Sequence, residues 1–163
     1  MEEMKLKAIG KVEPAEDGFA IKLNEEYRDA LMGLTGFSHL HILWWADQVD
    51  SPQDRAVTVI DKPYKQGPDK LGIYATRSPI RPNPIADTVV YVTRIDHENG
   101  VIYTPYIDAE PDTPVLDIKI YLPCCDIVKN YSVPAWAEVF PDSLEDSAEF
   151  DWESVFNFDP SRG

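Results

Sequence analysis

Ser38-His39-Leu40-His41-Ile42-Leu43-Trp44-Trp45-Ala46 becomes apolar on both faces towards its end, the pattern of a buried strand rather than a solvated one. Working outward, Thr88 to Ile95 reads as a companion. Val89, Tyr91 and Thr93 alternate there with Val90, Val92 and Arg94, so one side is covered and part of the other. Met4, Leu6 and Ala8 alternate with Lys5 and Lys7, and Phe19 to Leu23 follows the Asp17-Gly18 turn signal. Further strands are expected at Ala56 to Ile60, Leu71 to Ala75, Val101 to Tyr106 and Val115 to Tyr121. Asn99-Gly100 marks a hairpin. Fourteen prolines leave few windows for a helix. The best window is Asn24 to Leu34, with Asn24 as cap, Glu25 and Glu26 at its start, and Tyr27, Leu31 and Leu34 on one face. A second, Leu144 to Phe156, has Asp142 or Ser143 to cap it. Many short strands and one early helix predict an all-β fold, a barrel or sandwich with one or two short helices.

The 163 residues fit one domain of ordinary size, and 44% hydrophobic content supplies a core. No apolar run approaches the ~20 residues of a membrane-spanning helix. The start, Met1-Glu2-Glu3-Met4-Lys5, lacks the layout of a secretory signal. The cysteines, Cys124 and Cys125, are adjacent and build no disulfide framework, so a reduced, cytoplasmic setting is expected. Charge is uneven. Residues 130–163 hold eight acids and one base (−7), and residues 1–129 hold 21 acids and 14 bases (−7). That balance disfavours nucleic acid as a partner, because Lys and Arg neutralising phosphates drive such binding. The tail sets Phe150, Trp152, Phe156 and Phe158 among its carboxylates, and is expected to form an acidic arm over residues 138–163, packed on a body of residues 1–137.

Three segments carry the chemistry. In Ala75-Thr76-Arg77-Ser78-Pro79-Ile80-Arg81-Pro82-Asn83-Pro84-Ile85, prolines at 79, 82 and 84 stiffen a loop that holds two arginines four apart. Such a loop fixes donors before a ligand arrives, or is a stiff turn whose arginines pair with the surplus carboxylates. In Asp108-Ala109-Glu110-Pro111-Asp112-Thr113-Pro114-Val115-Leu116-Asp117-Ile118-Lys119-Ile120-Tyr121, the residues Asp117, Lys119 and Tyr121 alternate onto one strand face. They form either a solvated face or the wall of a polar pocket. The third segment, Gly36-Phe37-Ser38-His39-Leu40-His41, puts two histidines on one face, but no matching ligand pair follows and no metal is expected. Cys124 and Cys125 read as buried thiols rather than nucleophiles, and there is no phosphate-binding glycine loop.

Together these segments resemble the TsaA-like family, also called YaeB or TrmO, with its FSH strand, ATRSPxRPNPIG loop and DxxxGTPVLDIKPY strand. The resemblance spans residues 8 to 137. It implies a small β-barrel-type domain, a homodimer, and S-adenosylmethionine as cofactor. The implied reaction is methylation of the exocyclic nitrogen of threonylcarbamoyl-adenosine beside the tRNA anticodon. By match of motif the cofactor contacts Asp47, Gln48, Arg77, the main chain near Asp87, and the stretch Tyr106, Ile107 and Asp108. Arg77 suits the cofactor's carboxylate, and carboxylates and aromatic faces suit its sulfonium. The chain departs from the family pattern at Ala86, at Pro111-Asp112-Thr113-Pro114 and at Ile120. The short, acidic Glu13 to Gly18 stands where many members carry a proline- and arginine-rich loop.

On position and residue type, Asp117 is the expected proton acceptor, with Lys119 and Tyr121 orienting the methyl acceptor and Arg81 and Asn83 shaping the loop. Two alternatives stay open: a methyltransferase acting on a small molecule or a protein, and a non-catalytic S-adenosylmethionine-binding module. Trp44, Trp45 and Trp136 exceed what a small core needs, which favours a two-fold dimer.

Overall fold

The structure, a computed structural model, describes residues 4–157. Nine strands form: β1 (Gly10–Ala15), β2 (Gly18–Leu23), β3 (His39–Trp45), β4 (Val59–Asp61), β5 (Lys70–Gly72), β6 (Ile85–Tyr91), β7 (Arg94–Asp96), β8 (Val101–Thr104) and β9 (Pro114–Ile120). Seven of them build one antiparallel sheet in the order β6-β3-β9-β1-β2-β8-β7, while β4 and β5 pair separately. The period-two rule sends Leu40 and Ile42 of β3 inward to meet Val12, Ile21, Val90, Ile102 and Val115, all fully buried.

No closed barrel forms among the described residues, which corrects the barrel expectation: β6 and β7 are the two edges of the sheet. Both edges come from one run of chain. Val92 N–H still donates to Ser38 O on the β3 side (2.8 Å), and Thr93 N–H donates to Tyr103 O on the β8 side (2.9 Å). The single strand expected over Thr88 to Ile95 is therefore two, split where the chain changes partner.

Other expectations shift for local reasons. Met4 to Ala8 is not a strand. The Asn24 side-chain amide donates to Ala8 O (3.1 Å), and the ladder starts only at Gly10. Asn24 is thereby taken from its capping role, and the expected helix shrinks to a 3-10 segment, Glu25–Leu31, with no side-chain cap. A one-turn helix, Pro52–Arg55, capped by the Ser51 hydroxyl, stands just before β4. Ala56 to Ile60 and Leu71 to Ala75 yield only the short β4–β5 hairpin, followed by a 3-10 turn at Ile73–Ala75.

The C-terminal segment has two single helical turns, Leu144–Ser147 and Trp152–Val155, rather than one helix. It folds back onto the loop between β4 and β5. Tyr64 stacks on Trp136 (5.2 Å between ring centroids) and meets Phe140 and Phe156, and Lys65 N–H donates to Val155 O (2.9 Å). Trp152 lies on Phe156 at 5.7 Å. Phe158 lies outside the described residues. No helix among them is long and apolar enough to cross a membrane.

Candidate active site

The outward face of β6-β3-β9 gathers polar side chains because the odd-numbered residues of β3 and β6 point there, joined by Asp117 and Lys119 of β9 beyond its bulge. Leu43 stands opposite both Asp87 and Asp117, His41 opposite Val89 and Lys119, and His39 opposite Tyr91. A register shift between Leu43 and Trp44 leaves Leu116 as the extra residue of a bulge. Asp117 Oδ2 accepts from the Lys119 ammonium (2.6 Å), and its Oδ1 takes the Ile118 N–H (2.9 Å). The Asp117 hydrogen bond, then its charge, hold the Lys119 ammonium above the ordinary lysine pKa. Tyr121 stacks on His41 (5.8 Å, 16°) and meets His39 edge-on at 6.2 Å.

His41 ties this wall to the neighbouring strand. Its Nδ1 lies 3.0 and 3.1 Å from the two Asp87 oxygens, so Nδ1 carries the proton it donates. On the other side Nε2 is buried and makes no hydrogen bond, although Asp126 Oδ1 lies 3.3 Å away.

The loop from Ala75 to Ile85 is anchored at both ends. The buried Thr76 hydroxyl donates to Ile73 O (2.8 Å) and accepts from Ser78 N–H (3.2 Å), while Pro84 O receives the Ala46 N–H (2.8 Å). Arg77 Nη2 donates to the main-chain oxygen of Asp87 (3.2 Å), and Arg81 lies over the Tyr74 ring at 5.7 Å. Neither arginine has a carboxylate within 4.0 Å among the described residues. Pairing with the surplus acids is therefore not what occupies them. Asn83 is exposed, and its carbonyl accepts the Ile85 N–H (2.7 Å).

Asp47 and Gln48 are exposed in a 3-10 turn directly after β3. That turn is braced by Asp50, which accepts from the Trp45 indole (2.8 Å) and from Arg55. Those bonds, Arg55 first, hold the Asp50 carboxyl below the usual carboxylate range. Tyr106, Ile107 and Asp108 lie in the β8–β9 connection, held by Thr104 Oγ1 donating to Tyr106 O (3.0 Å). Tyr106 is 63% exposed, and its phenol is pushed up by partial burial and then by Asp108. Ile107 is a core residue, so only its main chain is available to a ligand.

The structure thus brings Arg77 and Asp87 together, and Asp117, Lys119 and Tyr121 together, with His41 between the two groups. No hydrogen bond or ion pair links either group to Asp47–Gln48 or to Tyr106–Asp108 among the described residues. Asp126, Asp50 and Arg55 are additions that sequence reasoning missed. Cys124 and Cys125 are exposed, not buried, because the turn Pro123–Asp126 stands outside the sheet. No group of three or more His, Cys, Asp or Glu among the described residues is placed to hold a metal ion.

Comparison with known proteins gives the family. The model of the tRNA-methyltransferase O N-terminal domain matches residues 10–127. An S-adenosyl-L-methionine-binding protein of Archaeoglobus fulgidus is 32% identical over 110 residues, covering 68% of this chain and 73% of its own. A tRNA (adenine(37)-N6)-methyltransferase of Eikenella corrodens is 40% identical over 88 residues, covering 53% of this chain and 49% of its own. The crystal structure of TrmO from Pseudomonas aeruginosa superposes with a TM-score of 0.62 at 25% identity, covering 83% of this chain and 62% of that one. With the match running through the Ala75–Ile85 loop and the β3 and β9 strands, the chain belongs to the tRNA-methyltransferase O N-terminal domain family, a family of S-adenosylmethionine-dependent methyltransferases.

Proposed function

We propose that this chain methylates the exocyclic N6 of an adenine in tRNA, of the threonylcarbamoyl-adenosine type, in the cytoplasm and as a homodimer. The observation that carries the reading is the pair of loop arginines without carboxylate partners in a chain with 29 acids and 15 bases. Held by a proline frame, they suit an anionic group brought by a ligand. The residues fit S-adenosylmethionine: Arg77 would hold its carboxylate, Asp47, Gln48 and Asp108 would lie towards its polar groups, and the main chain of Asp87 and Ile107 would complete the slot.

S-adenosylmethionine supplies an electrophilic methyl group when bound. The chain supplies orientation and a proton sink. An exocyclic nitrogen is weakly nucleophilic and loses a proton as its new bond forms, so a carboxylate within reach is needed. Asp117 takes that proton, and the Lys119 ammonium bonded to its Oδ2 fixes the carboxylate in place. Tyr121, fixed by its stack on His41, orients the acceptor, while Arg81 and Asn83 shape the loop above it.

The test is methyl transfer to tRNA lacking the modification, read by nucleoside mass spectrometry. Appearance of the N6-methylated nucleoside, lost with Asp117→Asn, supports the reading. A second reading, a small-molecule or protein acceptor, is favoured by the run from residue 130 to 157, which has seven acids and no Lys or Arg. Cofactor binding with no transfer to tRNA would leave that reading or a non-catalytic binding module.

A further inference from the structure

The outward face carries a row of rings of which the transfer chemistry uses only Tyr121. Tyr91 of β6, His39 of β3 and Tyr121 at the end of β9 form one row across three adjacent strands. His39 stands directly opposite Tyr91, and Tyr121 N–H donates to His39 O (3.2 Å). Ring centroids step 5.4 Å from Tyr91 to His39 and 6.2 Å on to Tyr121. Three strands at ~4.8 Å spacing make the row roughly 10 Å wide, the scale of a nucleobase and its neighbour. Ser38 Oγ fixes the His39 ring at 2.9 Å. Tyr91 is tilted 58° to His39 rather than stacked on it, and it is 51% exposed. Tyr121 by contrast already has one face on His41.

We propose that Tyr91 is a stacking site for an unpaired nucleobase of a single-stranded RNA loop, beside the site where the acceptor base reacts. The proposal rests on the tRNA reading above. An aromatic face is what the charge distribution calls for. A net charge of −14 disfavours holding RNA mainly by neutralising phosphates, whereas a base presents a π-face whatever the backbone charge. Recognition of splayed loop bases by Tyr and His rings is the usual way sequence-bearing RNA is read. Lys119 stands opposite His41 on the same face, one step along from the row, and Arg77 Nη2 donates to the main chain of β6 at Asp87.

The experiment compares binding of a synthetic RNA stem-loop, and of a duplex with the same bases fully paired, to the full chain. Stacking is worth ~1–3 kcal/mol per base by alanine substitution, so Tyr91→Ala should weaken stem-loop binding about 5-fold to 150-fold. Tyr91→Phe, which keeps the ring face and loses the hydroxyl, should bind within about twofold of wild type. S-adenosylmethionine affinity should be the same in all three proteins. Equal stem-loop binding by Tyr91→Ala, equal loss in Tyr91→Phe, equal binding of the duplex, or full competition by inorganic polyphosphate would each overturn the proposal. Tyr91-dependent loop binding without methyl transfer would instead sink the proposed reaction and leave the stacking site standing.

Discussion

At Asp50 a single carboxylate braces the turn that carries Asp47 and Gln48, through the Trp45 indole and Arg55. Its folded-state pKa is depressed, so its contribution is complete above the ordinary carboxylate value of ~3.9 and is lost as pH falls through the lower folded value. Asp50→Asn should therefore melt below wild type at pH 7, with the gap closing towards pH 3. Equal gaps at both pH values in calorimetric scans would show that the carboxylate's charge is irrelevant. Asp117→Asn makes a different prediction, since it keeps the side chain's size and removes its proton affinity. Methyl transfer should fall by two orders of magnitude or more, the scale of a lost general base, while cofactor affinity stays within about twofold. The placement of Asp117 and Lys119 on one strand face was legible because alternation marks it locally, and the stiffness of the loop that carries Arg77 because proline spacing does. Asp126 was not, because its neighbour His41 lies 85 positions away in the chain and only the sheet brings them together.

The β1–β2 hairpin shows how an element positions the site. Gly18 has φ +127°, and a Cβ there would lie 2.6 Å from the carbonyl oxygens of Thr104 and Pro105, the start of the Tyr106–Asp108 segment. Gly18→Ala should cost more than about 1 kcal/mol in urea unfolding and disturb that segment. An unchanged midpoint would mean the segment yields freely. Strands β2, β3, β8 and β9 were readable to within a residue or two, because their apolar period is unbroken. β1 was not, since Lys11, Glu13 and Pro14 interrupt its pattern and only Val12 reaches the core. The break between β6 and β7 has no sequence mark at all. It is set by which strand lies alongside, at Val92 and Thr93. The shortening of the helix after Asn24 to a 3-10 segment has the same origin: the cap residue's side chain serves Ala8 instead.

For the molecule as a whole, the acidic C-terminal segment is fastened to the β4–β5 loop through Tyr64 and Lys65. Phe156→Ala removes the ring that Tyr64 and Trp152 meet, and should lower stability by roughly 1–3 kcal/mol with cofactor affinity unchanged. A cofactor affinity that fell with it would place the segment at the site. Binding of RNA should depend only weakly on salt, with a slope of about one or two neutralised single-strand phosphates at ~0.7 each. A steep slope would mean that a basic surface dominates despite the charge of −14. The claim on which all of this stands is that Arg77 holds S-adenosylmethionine by its carboxylate. Isothermal titration calorimetry tests it most directly. The intact chain should bind S-adenosylmethionine, and Arg77→Ala should bind it ~1.5–3 kcal/mol more weakly, the range for a charged hydrogen bond. No heat from the intact chain with either S-adenosylmethionine or its demethylated product, or equal affinity in Arg77→Ala, would contradict the account.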